Sequence, residues 1–276
     1  MSLLRTFKTI TFSAFALAAA LAFPAQADLT AYVVHGINGE DFGFEAPLPV
    51  DINVDGLGCA VTNLQFGERV VLRDLPEGTY DVTVSLADEI DPCAGAAVLQ
   101  LDGVVLPAGA NATVVAHRTA DGLPVDGDLL GLGITASIFG NDFSATDRGR
   151  ARVLVHHAAA APAVDLVVSR DYADSSAPRT VVPALTNPTA DGDGILSQVN
   201  AQFRPGNWDV ALEVNGATVF GPTQVRLKPF TALYVYAVGD FFGGTFQYLV
   251  FLEDGSELRE RIPRGAKADR AERRVR

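Results

Sequence analysis

The sequence predicts an all-β protein made of two tandem antiparallel β-sandwich domains. Three observations predict this fold: short apolar runs lie between turn residues, the same strand pattern occurs twice in the same order, and no stretch has a helical period of useful length. The 276 residues include 26 Gly and 15 Pro together with much Val and Thr, a composition typical of strands joined by tight turns.

The N-terminus predicts export from the cytoplasm. Arg5 and Lys8 supply positive charge, and an apolar run at 9–23 follows them. Small residues at 25–27 match a signal-peptidase site, so we expect cleavage near Ala27 and a mature protein that is secreted, periplasmic or on the cell surface. The run is shorter than the roughly twenty residues of a membrane-spanning helix, which disfavours an integral membrane protein.

Composition divides the remainder of the chain. A polar, Gly-containing segment between the two copies is typical of a linker, and Arg, Glu, Ala and Gly dominate after the second copy. We predict a signal peptide at 1–27, a first β-sandwich at 28–143, a linker at 144–150, a second β-sandwich at 151–255 and a basic, disordered tail at 256–276.

Four matched segments define the internal repeat. Segments 32–35, 49–54, 77–82 and 134–142 match 153–156, 163–168, 205–210 and 246–254, in the same order. Unequal offsets between the matches indicate loops of different length. Tyr80 and Trp208 each begin an alternating strand after a Gly turn, and we expect both rings to be core anchors.

About seven strands per copy follow from the apolar runs. In the first copy the runs lie at 31–34, 50–54, 70–72, 80–86, 97–101, 113–117 and 134–139. Seven short strands in a domain of this size favour an antiparallel sandwich.

The charge of the chain excludes one class of partner. The formal net charge is −12, and residues 28–256 hold 29 acidic against 11 basic residues. Such a body repels phosphates, so we expect no nucleic-acid partner. The stretch 257–276 differs, with eight Lys or Arg and four Asp or Glu.

The two cysteines, Cys59 and Cys93, predict a disulfide, because an even pair in an exported domain usually pairs. On the chain-entropy account, closing that loop stabilises the fold by roughly 3–4 kcal/mol. A metal site is the weaker interpretation, since no further ligands lie at zinc-like spacing.

The second copy carries a recognisable motif. The segment 152–165 (RVLVHHAAAAPAVD) and the Pro205-Gly206-x-Trp208 turn resemble the exported bacterial and archaeal domain-of-unknown-function family numbered 4397. Members of that family resemble R-V-x-V-H-A-S-P-D-A-P-x-V-D followed by P-x-G-x-Y, often in tandem. The match is clear in the second copy and loose in the first.

The resemblance implies Ig-like β-sandwich modules on exported or surface proteins, with no established activity. One departure is visible: Ala158-Ala159-Ala160 stands where the family has Ser-Pro-Asp, so any loop role of that Asp is absent.

Two His–Asp pairs form the candidate structural motif. His35 and His156 lie at matched strand ends, upstream of Asp51 and Asp165. We expect each imidazole to hydrogen-bond the loop that leads to its Asp. Adjacent strand residues point to opposite faces, so His156 and His157 are poorly placed to chelate one ion. We predict no catalytic residue, no metal site and no cofactor.

The sequence favours a non-enzymatic binding or structural module whose partner is an unknown protein or glycan at the cell surface. The candidate contact loop lies between the first two strands of the first copy, where apolar rings stand among carboxylates. Its residues are Glu40, Asp41, Phe42, Phe44 and Glu45.

Two alternatives stay open at this point. One is a hydrolase or metal-dependent enzyme that uses His35 or His156 with nearby carboxylates. The other is a calcium-stabilised, adhesin-like spacer that uses acidic stretches at 88–91, 121–128 and 191–194.

Overall fold

The structure is a computed structural model that describes residues 29–44, 48–142, 144, 146–170, 179–187 and 199–253. The predicted signal peptide and basic tail lie outside these ranges, as do Glu45 and the acidic stretch at 191–194.

The first copy contains eight strands. They are β1 (Leu29–His35), β2 (Val50–Val54), β3 (Gly58–Leu64), β4 (Arg69–Leu75), β5 (Gly78–Leu86), β6 (Ala97–Leu106), β7 (Asn111–Arg118) and β8 (Ile134–Gly140). A 3-10 helix, Gly39–Phe42, lies between β1 and β2. The strands form a first outer sheet, ordered β3-β2-β5-β6, and a first inner sheet, ordered β4-β1-β7-β8.

The second copy repeats this architecture. Its strands are β9 (Ala151–Ala160), β10 (Val164–Arg170), β11 (Arg179–Leu185), β12 (Val199–Phe203), β13 (Gly206–Val214), β14 (Ala217–Leu227), β15 (Ala232–Asp240) and β16 (Gln247–Glu253). The second inner sheet is ordered β12-β9-β15-β16 and the second outer sheet β11-β10-β13-β14. Adding eight to each strand number of the first copy gives the order of the second, so the chain is an all-β tandem of two sandwiches.

Two details differ from the sequence prediction. The eighth strand, β3, is an edge strand whose residues are mostly exposed, so it carries little apolar signal. The pairs β1–β7 and β9–β15 are parallel, although we expected antiparallel sheets. Apolar and polar residues alternate in the same way whichever direction the neighbouring strand runs, so the pattern could not show this.

Tyr80 and Trp208 occupy equivalent positions near the start of β5 and β13. The Tyr80 hydroxyl donates to the Pro76 carbonyl at 2.5 Å, and the Trp208 indole donates to the Arg204 carbonyl at 2.9 Å. Each ring therefore anchors the turn that precedes its own strand, four residues back.

The four sheets stack in the order outer, inner, inner, outer. One apolar core joins the two sheets of the first sandwich, and another joins those of the second. A third core lies between the inner sheets, where Val34, Val115 and Phe139 of the first copy pack with Leu154 and Tyr236 of the second. The two sandwiches are thus joined by a buried interface, which we call the junction.

Strand directions place many loops at one end. β1 and β7 run parallel, and Arg118 at the end of β7 forms a 2.6 Å salt bridge with Asp240 at the end of β15. The loops at 36–49, 87–96, 119–133 and 241–246 therefore share one end of the molecule, which we call the loop end. The opposite end is the base.

The close packing of the junction is visible at Gly36. A Cβ placed there would lie 2.7 Å from the Ala116 carbonyl oxygen and 2.8 Å from a Val238 methyl carbon. We expect Gly36→Ala to lower the free energy of unfolding by about 1–3 kcal/mol, because the sheets must separate to admit it. Urea unfolding measures this.

The matched control is Gly78→Ala, whose added Cβ would meet no atom closer than 3.8 Å. Equal effects of the two substitutions would contradict a close-packed junction.

Candidate functional site

Asp51 joins three segments of the first sandwich at the loop end. Its buried carboxylate accepts the backbone N–H groups of Asn63 at 2.7 Å, Cys93 at 2.8 Å and Asp88 at 3.1 Å. Burial raises the pKa of Asp51, but the hydrogen bonds from Cys93, Asn63 and Asp88 outweigh it and hold the pKa below its usual range. The carboxylate is a structural tie between β2, β3 and the loop at 87–96.

The second copy contains an equivalent of the Asp51–Asn63 hydrogen bond. Asp165 accepts the N–H of Ala184 at 2.7 Å. Asn63 and Ala184 are both non-glycine residues with positive φ, of 54° and 49°, beside register shifts in their strand pairs. In both copies the aspartate holds a bulge in the edge strand.

The predicted disulfide is confirmed. Cys59 in β3 and Cys93 in the loop at 87–96 are bonded, with their Cα atoms 5.8 Å apart. The second copy has a two-residue turn, Asn215-Gly216, at the place of this loop. The loop at 87–96 is therefore an insertion specific to the first copy, held by the disulfide and by Asp51.

His35 faces the interior of the first sandwich. Its Nε2 donates to the Leu48 carbonyl at 2.8 Å, and Leu48 belongs to the loop that leads to Asp51. Burial lowers the pKa of His35, and the Leu48 bond offsets only part of that effect. The ring is neutral near pH 7 and engaged with the main chain.

The counterpart of His35 in the second copy is His157. Its Nε2 donates to the Pro162 carbonyl at 3.2 Å, and Pro162 precedes Asp165 by three residues, as Leu48 precedes Asp51. Our assignment of His156 to this place was wrong by one residue. Since strand side chains alternate between faces, a slip of one residue moves a side chain to the opposite side of the sheet.

His156 instead lies in the junction. Its ring stacks on Tyr236 at 4.5 Å between centroids and meets the edge of Phe139 at the same separation. His117 of the first copy also faces the junction: its Nδ1 donates to the Arg118 carbonyl, and its Nε2 accepts from the Ser137 hydroxyl at 2.8 Å. Complete burial lowers the pKa of His117 to about 4.

Part of the candidate contact loop contacts other segments of the same chain. Thr245 donates its hydroxyl hydrogen to Asp41, and the Arg118 guanidinium lies 5.0 Å from the Phe42 ring centroid. Burial raises the pKa of Asp41, and the Thr245 bond and the Arg118 charge offset part of the rise. Asp41 therefore helps to hold the two sandwiches together and Phe42 packs within the first sandwich, whereas Glu40 and Phe44 are exposed.

Carboxylates in two of the acidic stretches accept hydrogen bonds from nearby backbone N–H groups. Asp88 accepts the N–H groups of Ile90 and Asp91, and Asp128 accepts those of Leu130, Gly133 and Ile134. Within the part of the chain that the structure describes, no three His, Cys, Asp or Glu side chains are placed to hold one metal ion. In those same ranges no helix is long and apolar enough to cross a membrane.

Exposed apolar side chains concentrate at the loop end. Of the nine large exposed hydrophobic side chains in the described ranges, six lie in its loops and three near the base. The six are Phe44, Ile90, Leu123, Leu129, Leu130 and Phe242; the three are Leu57, Val105 and Phe230. Sequence reasoning found only Phe44, because the others lie in loops that only the fold brings to one end.

Part of the chain matches a known protein family. Residues 32–167 match the family described as "Domain of unknown function (DUF4397)". The match covers nearly all of the first copy, where the sequence motif is looser, and continues through β9 into β10. No curated protein matches the chain.

Among solved structures, the chain is similar to a proposed cell adhesion protein from Bacteroides ovatus ATCC 8483, with 8% identity over 86% of this chain and 99% of that one. The TM-score of 0.21 is too low for the likeness to bear on fold or function.

The buried histidines predict loss of stability in mild acid. His117 must be neutral in the fold, whereas the unfolded chain binds a proton near pH 6.5, so stability present above pH 6.5 is lost as the pH falls toward 4. His117 alone should cost about 3 kcal/mol over that range, and His35 and His157 act in the same direction. Urea unfolding at several pH values measures the slope.

A His117→Gln variant provides the control, because its slope should be shallower than that of the parent. Parallel slopes would show that His117 does not titrate as its burial requires.

The repeat also supplies a matched pair of aspartates. We expect Asp51→Ala to lower the free energy of unfolding by about 3 kcal/mol, because the N–H donors of three part-buried hydrogen bonds lose their acceptor. Asp165→Ala, which frees one exposed N–H donor among the described residues, should cost about 1 kcal/mol or less. A larger loss for Asp165→Ala in denaturant titrations would reverse this ranking.

Proposed function

Since this chain belongs, through residues 32–167, to the DUF4397 family of domains of unknown function, we propose a role that rests on its own geometry. The protein is an exported, non-enzymatic binding module, and the loop end is its contact surface. The concentration of exposed apolar side chains at that end carries the proposal. The partner is a protein or glycan at the cell surface.

The disulfide supports export. Cys59 and Cys93 are bonded, and stable disulfides belong to oxidising compartments outside the cytoplasm. This agrees with the signal peptide predicted at 1–27 and with cleavage near Ala27.

The state of the histidines supports a binding role rather than hydrolysis. His35 and His157 each donate to a main-chain carbonyl, and His156 is stacked on Tyr236 inside the junction. His117 and Ser137 form a serine–histidine pair at 2.8 Å, but their exposures are 0% and 3%. A general base must reach its substrate, and these rings are enclosed.

The chemistry of the loop end supports a partner of one chemical kind. Ile90, at 96% exposure, stands between the exposed carboxylates of Glu89 and Asp91. Leu123 follows exposed Asp121 in the same manner. A surface of this kind is complementary to a partner that presents apolar groups beside cationic or hydrogen-bond-donating ones.

The test compares partner retention by two variants, one with exposed apolar side chains replaced at the loop end and one with such side chains replaced at the base. Phe44→Ser/Ile90→Ser/Phe242→Ser removes three exposed apolar side chains from the loop end, while Leu57→Ser/Val105→Ser/Phe230→Ser removes three from the base. With the exported chain immobilised and the envelope fraction of its source organism passed over it, we expect the loop-end variant to lose at least about tenfold in retained partner, an effect equivalent to 1.4 kcal/mol.

The base variant should retain its partner as the parent does, and both variants should keep the parental melting temperature within a few degrees. Equal loss in both variants, or unchanged retention in the loop-end variant, would exclude the loop end as the contact surface.

A further inference from the structure

An apolar cavity lies between the two sheets of the second sandwich. Its volume is about 120 Å³, whereas the cavity at the same place in the first sandwich has about 60 Å³. Protein interiors are close-packed and hold few voids larger than a water molecule. A dry cavity of about 150 Å³ in another protein core binds benzene, so the second cavity is close to the size of a single aromatic ring.

The repeat shows which side chains distinguish the two cavities. Tyr248 in β16 lies opposite Ala237, and Ala136 in β8 lies opposite Ala116. Ala116 and Ala237 are equivalent, because each pairs with the histidine that faces the interior of its own sandwich. The second cavity is therefore lined by a phenol group where the first is lined by a methyl group.

A second hydroxyl group stands where the first copy has an apolar side chain. Thr223 in β14 pairs with Val210, and Leu101 in β6 pairs with Val82. Val82 and Val210 are equivalent, because each lies two residues after the aromatic anchor of its strand. Thr223 lines the cavity and is nevertheless exposed, so the cavity reaches the surface at the edge strand β14.

The walls of the second cavity suit an aromatic ligand. Among the described residues, four aromatic rings line it as two edge-to-face pairs. Phe203 and Trp208 lie 5.0 Å apart between centroids, and Phe220 and Tyr248 lie 4.2 Å apart. Tyr80 is the one such ring that the described residues supply to the first cavity. Aromatic rings gain energy from edge-to-face and offset contacts with one another, and an aliphatic chain would not make these contacts.

The Tyr248 hydroxyl is available to a ligand. Its oxygen is buried and has no hydrogen-bond partner among the described residues. Burial raises the pKa of Tyr248 well above its usual range, so the hydroxyl keeps its proton and remains a donor. A buried hydroxyl without a partner destabilises the fold, and an acceptor on a ligand would relieve this.

The cavity disfavours charged ligands. No Asp, Glu, Lys or Arg of the described chain lines it. His157 lines it too, but its Nε2 donates to the Pro162 carbonyl and its Nδ1 accepts from the Ala159 N–H. An ion placed there would lose its hydration without gaining a counter-charge.

We propose that the second sandwich binds a small aromatic molecule that carries one uncharged hydrogen-bonding group. The ligand ring packs against the two aromatic pairs, and its oxygen accepts a hydrogen bond from Tyr248. An aryl alcohol is the simplest molecule of this class. The site is separate from the proposed contact surface, since none of the six exposed apolar side chains of the loop end lines the cavity.

Fluorescence of Trp208 tests for binding, because Trp208 is the only tryptophan of the chain and lines the cavity. Bromine quenches tryptophan emission at short range. The exported chain is titrated with para-bromobenzyl alcohol and, separately, with para-bromobenzoate, a charged molecule of similar shape. We expect saturable quenching by the alcohol and none by the benzoate, because burial of its charge would be unfavourable. Absence of saturable quenching up to the solubility limit of the alcohol would overturn the proposal.

Tyr248→Phe tests the hydrogen bond to the ligand. The substitution removes only an unpartnered oxygen, so the variant should keep at least the parental melting temperature. We expect it to bind para-bromobenzyl alcohol about three- to tenfold more weakly than the parent. Its affinity for para-bromotoluene, which lacks the hydroxyl group, should not change. Equal affinities of the variant and the parent for the alcohol would overturn the placement of the ligand oxygen at Tyr248.

Two matched variants that fill the cavities locate the ligand. Val235 and Val114 line the second and the first cavity, each two residues before its equivalent alanine, Ala237 or Ala116. We expect Val235→Phe to weaken binding of the alcohol by at least about tenfold, because the added ring occupies the ligand's place. Val114→Phe should leave Trp208 quenching as in the parent. Equal quenching in both would overturn the site, and if circular dichroism shows either variant unfolded, the Tyr248→Phe comparison decides.

The loop-end variant Phe44→Ser/Ile90→Ser/Phe242→Ser separates the cavity from the contact surface. It should bind para-bromobenzyl alcohol with parental affinity, because none of the three side chains lines the cavity. Loss of saturable quenching in this variant would place the alcohol at the loop end and overturn the cavity as its site.

Discussion

The packing of one inner sheet against the other is the constraint on which the remaining features depend. Each inner sheet has a core on both faces, so its strands cannot alternate between buried and wet residues. β9 is buried along almost its whole length, and its Ala158 and Ala159 are both fully buried. The close approach at Gly36 and the neutral state of His117 follow from the same packing, because a Cβ at Gly36 would overlap its neighbours and complete burial disfavours the charged form of the His117 ring.

Much of the fold could be predicted from the sequence where one face of a strand is wet. β5 and β13 alternate, begin after a Gly turn and carry an aromatic anchor, and these signals located both copies. The edge strand β3 was not predicted, because exposure on both faces removes the alternation of apolar and polar residues. The junction was not predicted for the opposite reason. Strands buried on both faces show continuous apolar runs, which do not reveal what covers the second face.

The prediction of the His–Asp motif was wrong by a single residue in the second copy. Asp51 and Asp165 occupy equivalent positions in the two copies. Each follows by three residues a carbonyl that accepts from a histidine, that of Leu48 or that of Pro162. Two adjacent histidines in β9 offered two registers, and the sequence match selected His156 although the sandwich interior holds His157. Only the partner atoms distinguish the registers, because both rings are buried and both belong to the same strand.

The direction of the outermost chain segments has a practical consequence. β1 starts at the base and β16 finishes there, since Glu253 lies opposite Ala232 and Leu29 opposite Leu75. Any fusion partner, affinity handle or support joined to either extremity of the folded body is therefore held behind it. A protein attached in this way presents its loop end to solution, and several copies attached side by side would all have the same orientation.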